Sequence, residues 1–160
     1  PMIRSLAASL ALGALLSTTL AAQAPPAYGP PVSIDSAKKA AAAAVAEAKK
    51  NNLLMAIAIV DPAGMLVYFE KMDGTQNGSV EVAVEKARSA ALYKRPSKAF
   101  QDTVAGGGAG VRILGLTGAV PVEGGIPLVE GGRIVGAVGA SGGTSDQDGV
   151  VAQAGVNAVK

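Results

Sequence analysis

The side chains available for chemistry in this 160-residue chain are carboxylates, amines, guanidinium groups, hydroxyls and thioethers, because it holds no histidine and no cysteine. Imidazole and thiolate perform most metal ligation, nucleophilic attack and proton transfer near neutral pH. Their absence removes Ser-His-Asp and Cys-His triads, the usual zinc sites and imidazole-ligated haem. What remains favours binding over demanding catalysis.

Four stretches place the remaining groups suggestively. Glu123-Gly124-Gly125 sets a carboxylate beside two glycines ahead of a strand-like run. Such glycines let a ligand approach backbone amides, and Glu123 could accept a hydrogen bond or act as a base. A tight turn feeding the strand is the equal alternative. Gly139 to Gly143, with Ser141 at its centre, precedes a helix start, where free N–H groups favour anions. Its spacing is neither a Rossmann fingerprint nor a P-loop, and close strand-to-helix packing is the simpler role. Lys86 and Arg88 stand about 200° apart on an ideal helix and read as a solvated charged face, with Glu85 able to pair with Arg88. Asp146-Gln147-Asp148-Gly149 hints at a calcium loop but lacks that loop's other ligands, so helix capping accounts for both aspartates.

These groups need elements to hold them. Residues 2–24 read as a secretory signal: Arg4 is the positive start, Leu6 to Leu16 the apolar stretch, and small residues at Thr19, Ala21, Ala22 and Ala24 follow. Small residues running into Pro25-Pro26 favour cleavage after Ala22 over a retained membrane anchor, and Pro1 ahead of Met2 reads as a reading-frame artefact. The expected location is secreted or periplasmic, and without cysteine the mature fold must rest on its core. The formal charge of +2 falls by one when Arg4 leaves, and aromatics are 3% of the chain. That near-neutral, aromatic-poor surface argues against a nucleic-acid binder.

Residues 25–32 form a Pro-rich tether, expected to be extended and poorly ordered, and 33–160 a single domain. From Asp35 an alanine-rich segment to about Lys50 predicts a helix, with Ile34, Ala37, Ala41, Ala44, Val45 and Ala48 on its buried face. Leu53 to Val60 and Met65 to Met72 flank Asp61-Pro62-Ala63-Gly64 and predict an antiparallel hairpin. Val80, Ala83, Val84, Ala87 and Ala91 mark an amphipathic helix from about Ser79 to Tyr93, and Ser97 to Val104 a shorter one. Ala105 to Gly110 reads as a flexible loop. Ile126 to Glu130 and Arg133 to Gly139, around Gly131-Gly132, give a second hairpin. Ser145 and Asp148 suit a capping box for a last helix burying Val150, Val151, Ala154 and Val159. The order helix, hairpin, helices, hairpin, helix defines an α+β domain with an antiparallel sheet.

Five ordered blocks carry a resemblance. Ile59 to Val67, Lys71-Met72-Asp73-Gly74, Glu85 to Ala90, Pro121 to Pro127 and Val135 to Gly143 with Asp146 and Asp148 resemble, in order, segments of the GlcG/HbpS family of haem-binding proteins. The similarity spans about Ser33 to Val159. It implies a profilin-like fold, a central antiparallel sheet flanked by helices, and a secreted, oligomeric, small-molecule-binding protein with haem as leading ligand, in haem handling or redox sensing. The chain departs from members that put histidine on the haem iron. The resemblance therefore leaves Met72 and Tyr93 as candidate iron ligands, and Lys86, Arg88, Lys94 and Arg95 as candidate propionate partners. Core packing is the competing role for Met72. Glu123, Gly124, Gly125 and Ser141 complete the candidate binding residues. The alternative, from glycolate-linked relatives, is a small enzyme or carrier for a short hydroxy- or keto-acid, with Lys86, Glu123 or Asp61 as its acid-base group.

Overall fold

The computed structural model describes residues 24–159. The leader reading over residues 2–24 lies, apart from Ala24, outside the described residues; among the described ones no helix is long and apolar enough to cross a membrane.

The first helix, α1 (Ile34–Lys50), starts one residue earlier than its alanines suggest, because Ser33 caps it by accepting a hydrogen bond from Ser36 N at 3.1 Å. Its buried face is Ala37, Ala40, Ala41, Ala44, Val45 and Ala48, while Ile34 faces solvent. Strands β1 (Ala56–Val60) and β2 (Leu66–Lys71) make the first hairpin, and β3 (Gly125–Glu130) and β4 (Arg133–Ser141) the second. Antiparallel pairing of β1 with β4 joins them into one four-stranded sheet of order β2-β1-β4-β3.

Alternation along β1 divides the core. Ile57 and Ile59 point with Val138 and Ala140 towards α1 and α4 (Ser145–Asn157). Ala56, Ala58, Val60 and Ala137 point to the other face, against α2 (Ser79–Tyr93). Small side chains bring α2 close, and two cross-strand glycines bring it closer. Gly125 and Gly139 are register partners. A Cβ on Gly125 would fall on the Lys86 carbonyl, and one on Gly139 on the Ala83 carbonyl. Here the helix backbone rests directly on the sheet, which only glycine permits. This is the close-packing role, found one strand further back as well.

Three further expectations change. The tether is docked: Tyr28 bridges to Ile134, Gly29 N donates to Ile134 O at 2.8 Å and Val32 N to Val135 O at 2.8 Å. Tyr28 Oη donates towards the carbonyls of Ala91 and Leu92 at the end of α2, beneath the Lys94 ammonium. The glycine-dense stretch is no loose loop either, since α3 (Lys98–Ala105) leads into a 3-10 helix over Gly108–Gly115. Finally, the capping box of α4 is Thr144 with Gln147. That one-residue shift rotates the buried stripe to Val151, Ala152, Gly155 and Val156, leaves Val150 exposed, and frees Asp148 for another partner.

Candidate functional site

That partner is Lys86. Its Nζ lies 2.6 Å from Asp148 Oδ2 and donates to Ala140 O at 3.3 Å, with the two side chains 1% and 4% exposed. Asp148 Oδ1 also accepts from Gly143 N at 2.9 Å. Lys86 therefore reaches from α2 past the end of β4 to α4, tying both layers together. It is no part of a solvated face, and Asp148 no simple cap. Burial pushes the Asp148 carboxyl above the ordinary carboxylate range; Lys86 and the Gly142–Gly143 backbone oppose this without cancelling it.

Gly124 covers the pair. It has φ +125°, and a Cβ there would stand 2.7 Å from Ala140 O, 2.9 Å from Asp148 Cβ and 3.0 Å from Lys86 Nζ. On its other side opens a cleft of about 560 Å³, within the size range of small-molecule sites. The walls are Glu123 to Ile126, Pro96 and Lys98 at the head of α3, Gly149, Val150, Gln153, Ala154 and Asn157 of α4, and Glu47 of α1.

The first turn of α3 fixes the Glu-Gly-Gly segment. Ser97 Oγ donates to Val122 O at 2.7 Å and accepts from Gly125 N at 2.9 Å, while Ser97 N donates to Gly125 O. Gln101 Oε1 accepts from Glu123 N at 2.8 Å. The Glu123 side chain then lies over Gly149, where any Cβ would strike its Oε1. Its Oε2 is buried without a hydrogen-bond donor, with Lys98 Nζ at 3.6 Å. Lys98 is itself bound to Asp102 at 2.9 Å; Asp102 first, then Glu123, hold its amine above the ordinary lysine range, so it stays protonated.

The candidate residues separate in space. Glu123, Gly124 and Gly125 form the cleft wall, with Lys86 sealed behind Gly124. Ser141 faces the α2 side, its Oγ 3.1 Å from Ser79 Oγ. Tyr93 donates to Thr117 O at 2.7 Å and packs edge-on against Phe100. Met72 packs against the α1 side of the core. Arg88 pairs with Glu85 at 3.1 Å, beside Gly64. Arg95 covers the Phe100 ring. Asp61 ties its own turn by accepting from Ala63 N and Met65 N. Met72, Arg88 and Tyr93 thus lie off the cleft. Lys98 and Gly149 are unforeseen members of its lining, and Ser97 and Gln101 unforeseen supports of the Glu-Gly-Gly segment; Pro96-Ser97 at a helix start was the only sequence signal for those on α3. Among the described residues no cluster of acidic side chains is disposed to hold a metal ion.

A three-layer body with an antiparallel 2-1-4-3 sheet and a glycine-lined cleft at one end of it defines the class: an α+β domain of the kind the five sequence blocks resemble. Residues 32–157 match the family model described as "Haem degrading protein HbpS-like", and the chain belongs to that family. It is 38% identical over 93 residues to Protein GlcG of Escherichia coli K12, a match covering 57% of this chain and 66% of GlcG, just under two thirds of that protein. It is 29% identical over 124 residues to an uncharacterized 15.0 kDa protein of the dhaT-dhaS intergenic region of Citrobacter freundii, covering 76% and 87% of the two chains. Among solved structures, Klebsiella pneumoniae ORFY superposes with a TM-score of 0.75 at 26% identity, covering 89% of this chain and 97% of that one. A PduOC:heme complex does so with a TM-score of 0.73 at 28% identity, covering 81% and 96%. A double mutant of Streptomyces reticuli HbpS gives 0.75 at 25%, covering 98% and 99%. The fold is the α+β, profilin-like architecture expected, shared with these neighbours.

Proposed function

We propose that this chain is a secreted haem-binding protein that works as a homo-oligomer in haem handling or haem sensing, and that the Glu123–Gly125 cleft takes the ligand. The supporting observation is the family match over residues 32–157, which includes every element that lines the cleft, together with a relative solved as a haem complex. The cleft suits the group: Pro96, Ile126, Val150 and Ala154 offer apolar surface, and the orphaned oxygen of Glu123 offers an anionic donor. Haem, when bound, supplies a redox-active iron; the protein's part is to exclude water and hold the ring. Oligomerisation is favoured by apolar side chains left in solvent, with Leu114 63% and Met65 62% exposed. The secreted location follows from the leader-like composition of residues 2–24.

Haemin titration of the purified protein tests the reading. A saturable Soret shift without bis-imidazole character, accompanied by a rise in melting temperature, is expected. Stabilisation by short hydroxy- or keto-acids, with none from haemin, would assign the cleft to the alternative ligand class and overturn the haem reading.

A further inference from the structure

The charged side chains around the cleft other than Glu123 are committed elsewhere. Glu47 accepts from Asn51 Nδ2 and pairs with Lys50. Lys98 is held by Asp102 at 2.9 Å and stands at 3.6 Å from Glu123. Lys86 and Asp148 neutralise each other behind Gly124. Glu123 differs. Its side chain is 17% exposed on the cleft, one oxygen lies on the bare Cα of Gly149, and the other has no hydrogen-bond donor. A buried carboxylate oxygen without a protein donor is costly, and such a group calls for a partner from outside the chain: a water, an ion or a ligand.

We propose that Glu123 is the anchoring group of the cleft, its carboxylate taking the place of imidazole on the ferric iron of haem, with Gly149 as the notch that seats it. This rests on the haem reading of the same cleft. An anionic oxygen is a hard donor, better matched to ferric than to ferrous iron. Binding is then selective for the oxidised state, and reduction loosens the ligand. Gly149 sets the position of the anchor: a methyl group there would fall on Glu123 Oε1 and displace the flexible end of that side chain, leaving the backbone of α4 intact.

The test is haemin titration followed by absorbance and electron paramagnetic resonance, using wild type, Glu123→Gln, Glu123→Asp and Gly149→Ala. Wild type should give a high-spin ferric, oxygen-ligated signature. Glu123→Gln should lose that signature and bind at least about tenfold more weakly, while Glu123→Asp retains part of it. Gly149→Ala should change the ferric spectrum. Dithionite should weaken wild-type binding and leave the residual affinity of Glu123→Gln unchanged. Far-UV circular dichroism confirms that each variant is folded. An unchanged ferric spectrum and an affinity within about twofold of wild type in Glu123→Gln would overturn the anchor while the haem reading stands. A wild-type titration with no Soret shift would overturn the haem reading itself, and the anchor with it.

Discussion

Two oppositely charged pairs lie back to back across Gly124, and they are built to opposite standards. Lys86 and Asp148 meet at 2.6 Å, are almost wholly buried, and are bound further to Ala140 O and Gly143 N. Lys98 and Glu123 stand at 3.6 Å, the amine half exposed and the carboxylate mostly buried, with one carboxylate oxygen lacking a donor. The closed pair is complete and fastens three elements; the open pair is incomplete and faces a cleft. Proximity to a cavity therefore does not by itself identify a functional charge. What sets Glu123 apart from Asp148 is a buried oxygen without a donor beside this cleft; Glu130 also has such an oxygen, away from it.

Breaking the closed pair should have the largest effect on the fold. Lys86→Met leaves a buried carboxylate uncompensated and should cost about 3–5 kcal/mol in denaturant unfolding. Next comes the close approach that places Lys86. Gly125→Val pushes α2 off the sheet at the Lys86 carbonyl and should cost more than about 1–3 kcal/mol, since backbone and not side chain must yield. The double variant Lys86→Met/Asp148→Leu removes both charges and should return close to wild-type stability, which a melting curve reads directly.

The pair also carries a pH signature. Asp148 has a raised carboxyl in the folded state, so between the ordinary carboxylate range and that raised value the folded protein holds a proton that the unfolded chain has lost. Its contribution to stability is present in full below that window and is lost as pH rises through it. Melting temperatures across the window should show this slope in wild type, and Asp148→Asn should remove it. The smallest effect belongs to the exposed pair of α2: Arg88→Ala breaks its contact with Glu85 and should change stability by about 0.5 kcal/mol or less.

The sequence carries the fold more clearly than the site. The short apolar run from Leu53 to Val60 and the alanine repeat of α2 are local patterns, and both are visible before folding. The site depends on contacts across long sequence distances. Lys86 and Asp148 are 62 residues apart, and pattern alone reads each as surface charge or cap. The capping box shows how little separates the readings: with Thr144 in place of Ser145 as the cap, Asp148 passes from a terminal role to the core. Met72, Tyr93 and Arg88 were chemically reasonable candidates, but a residue's type says nothing about which side of a sheet it faces. Glu123-Gly124-Gly125 was legible because glycine pairs beside a charge are a backbone feature. Its notch, Gly149, was not, since a single helical glycine has no local signature.

The contrast between the two pairs is tested most directly by haemin dissociation constants for Lys86→Met/Asp148→Leu and for Glu123→Gln, measured side by side with wild type. The account predicts that the charge-free double variant binds ferric haem within about threefold of wild type, while Glu123→Gln binds at least about tenfold more weakly. The reverse ranking, with binding lost in the double variant and kept in Glu123→Gln, would contradict it.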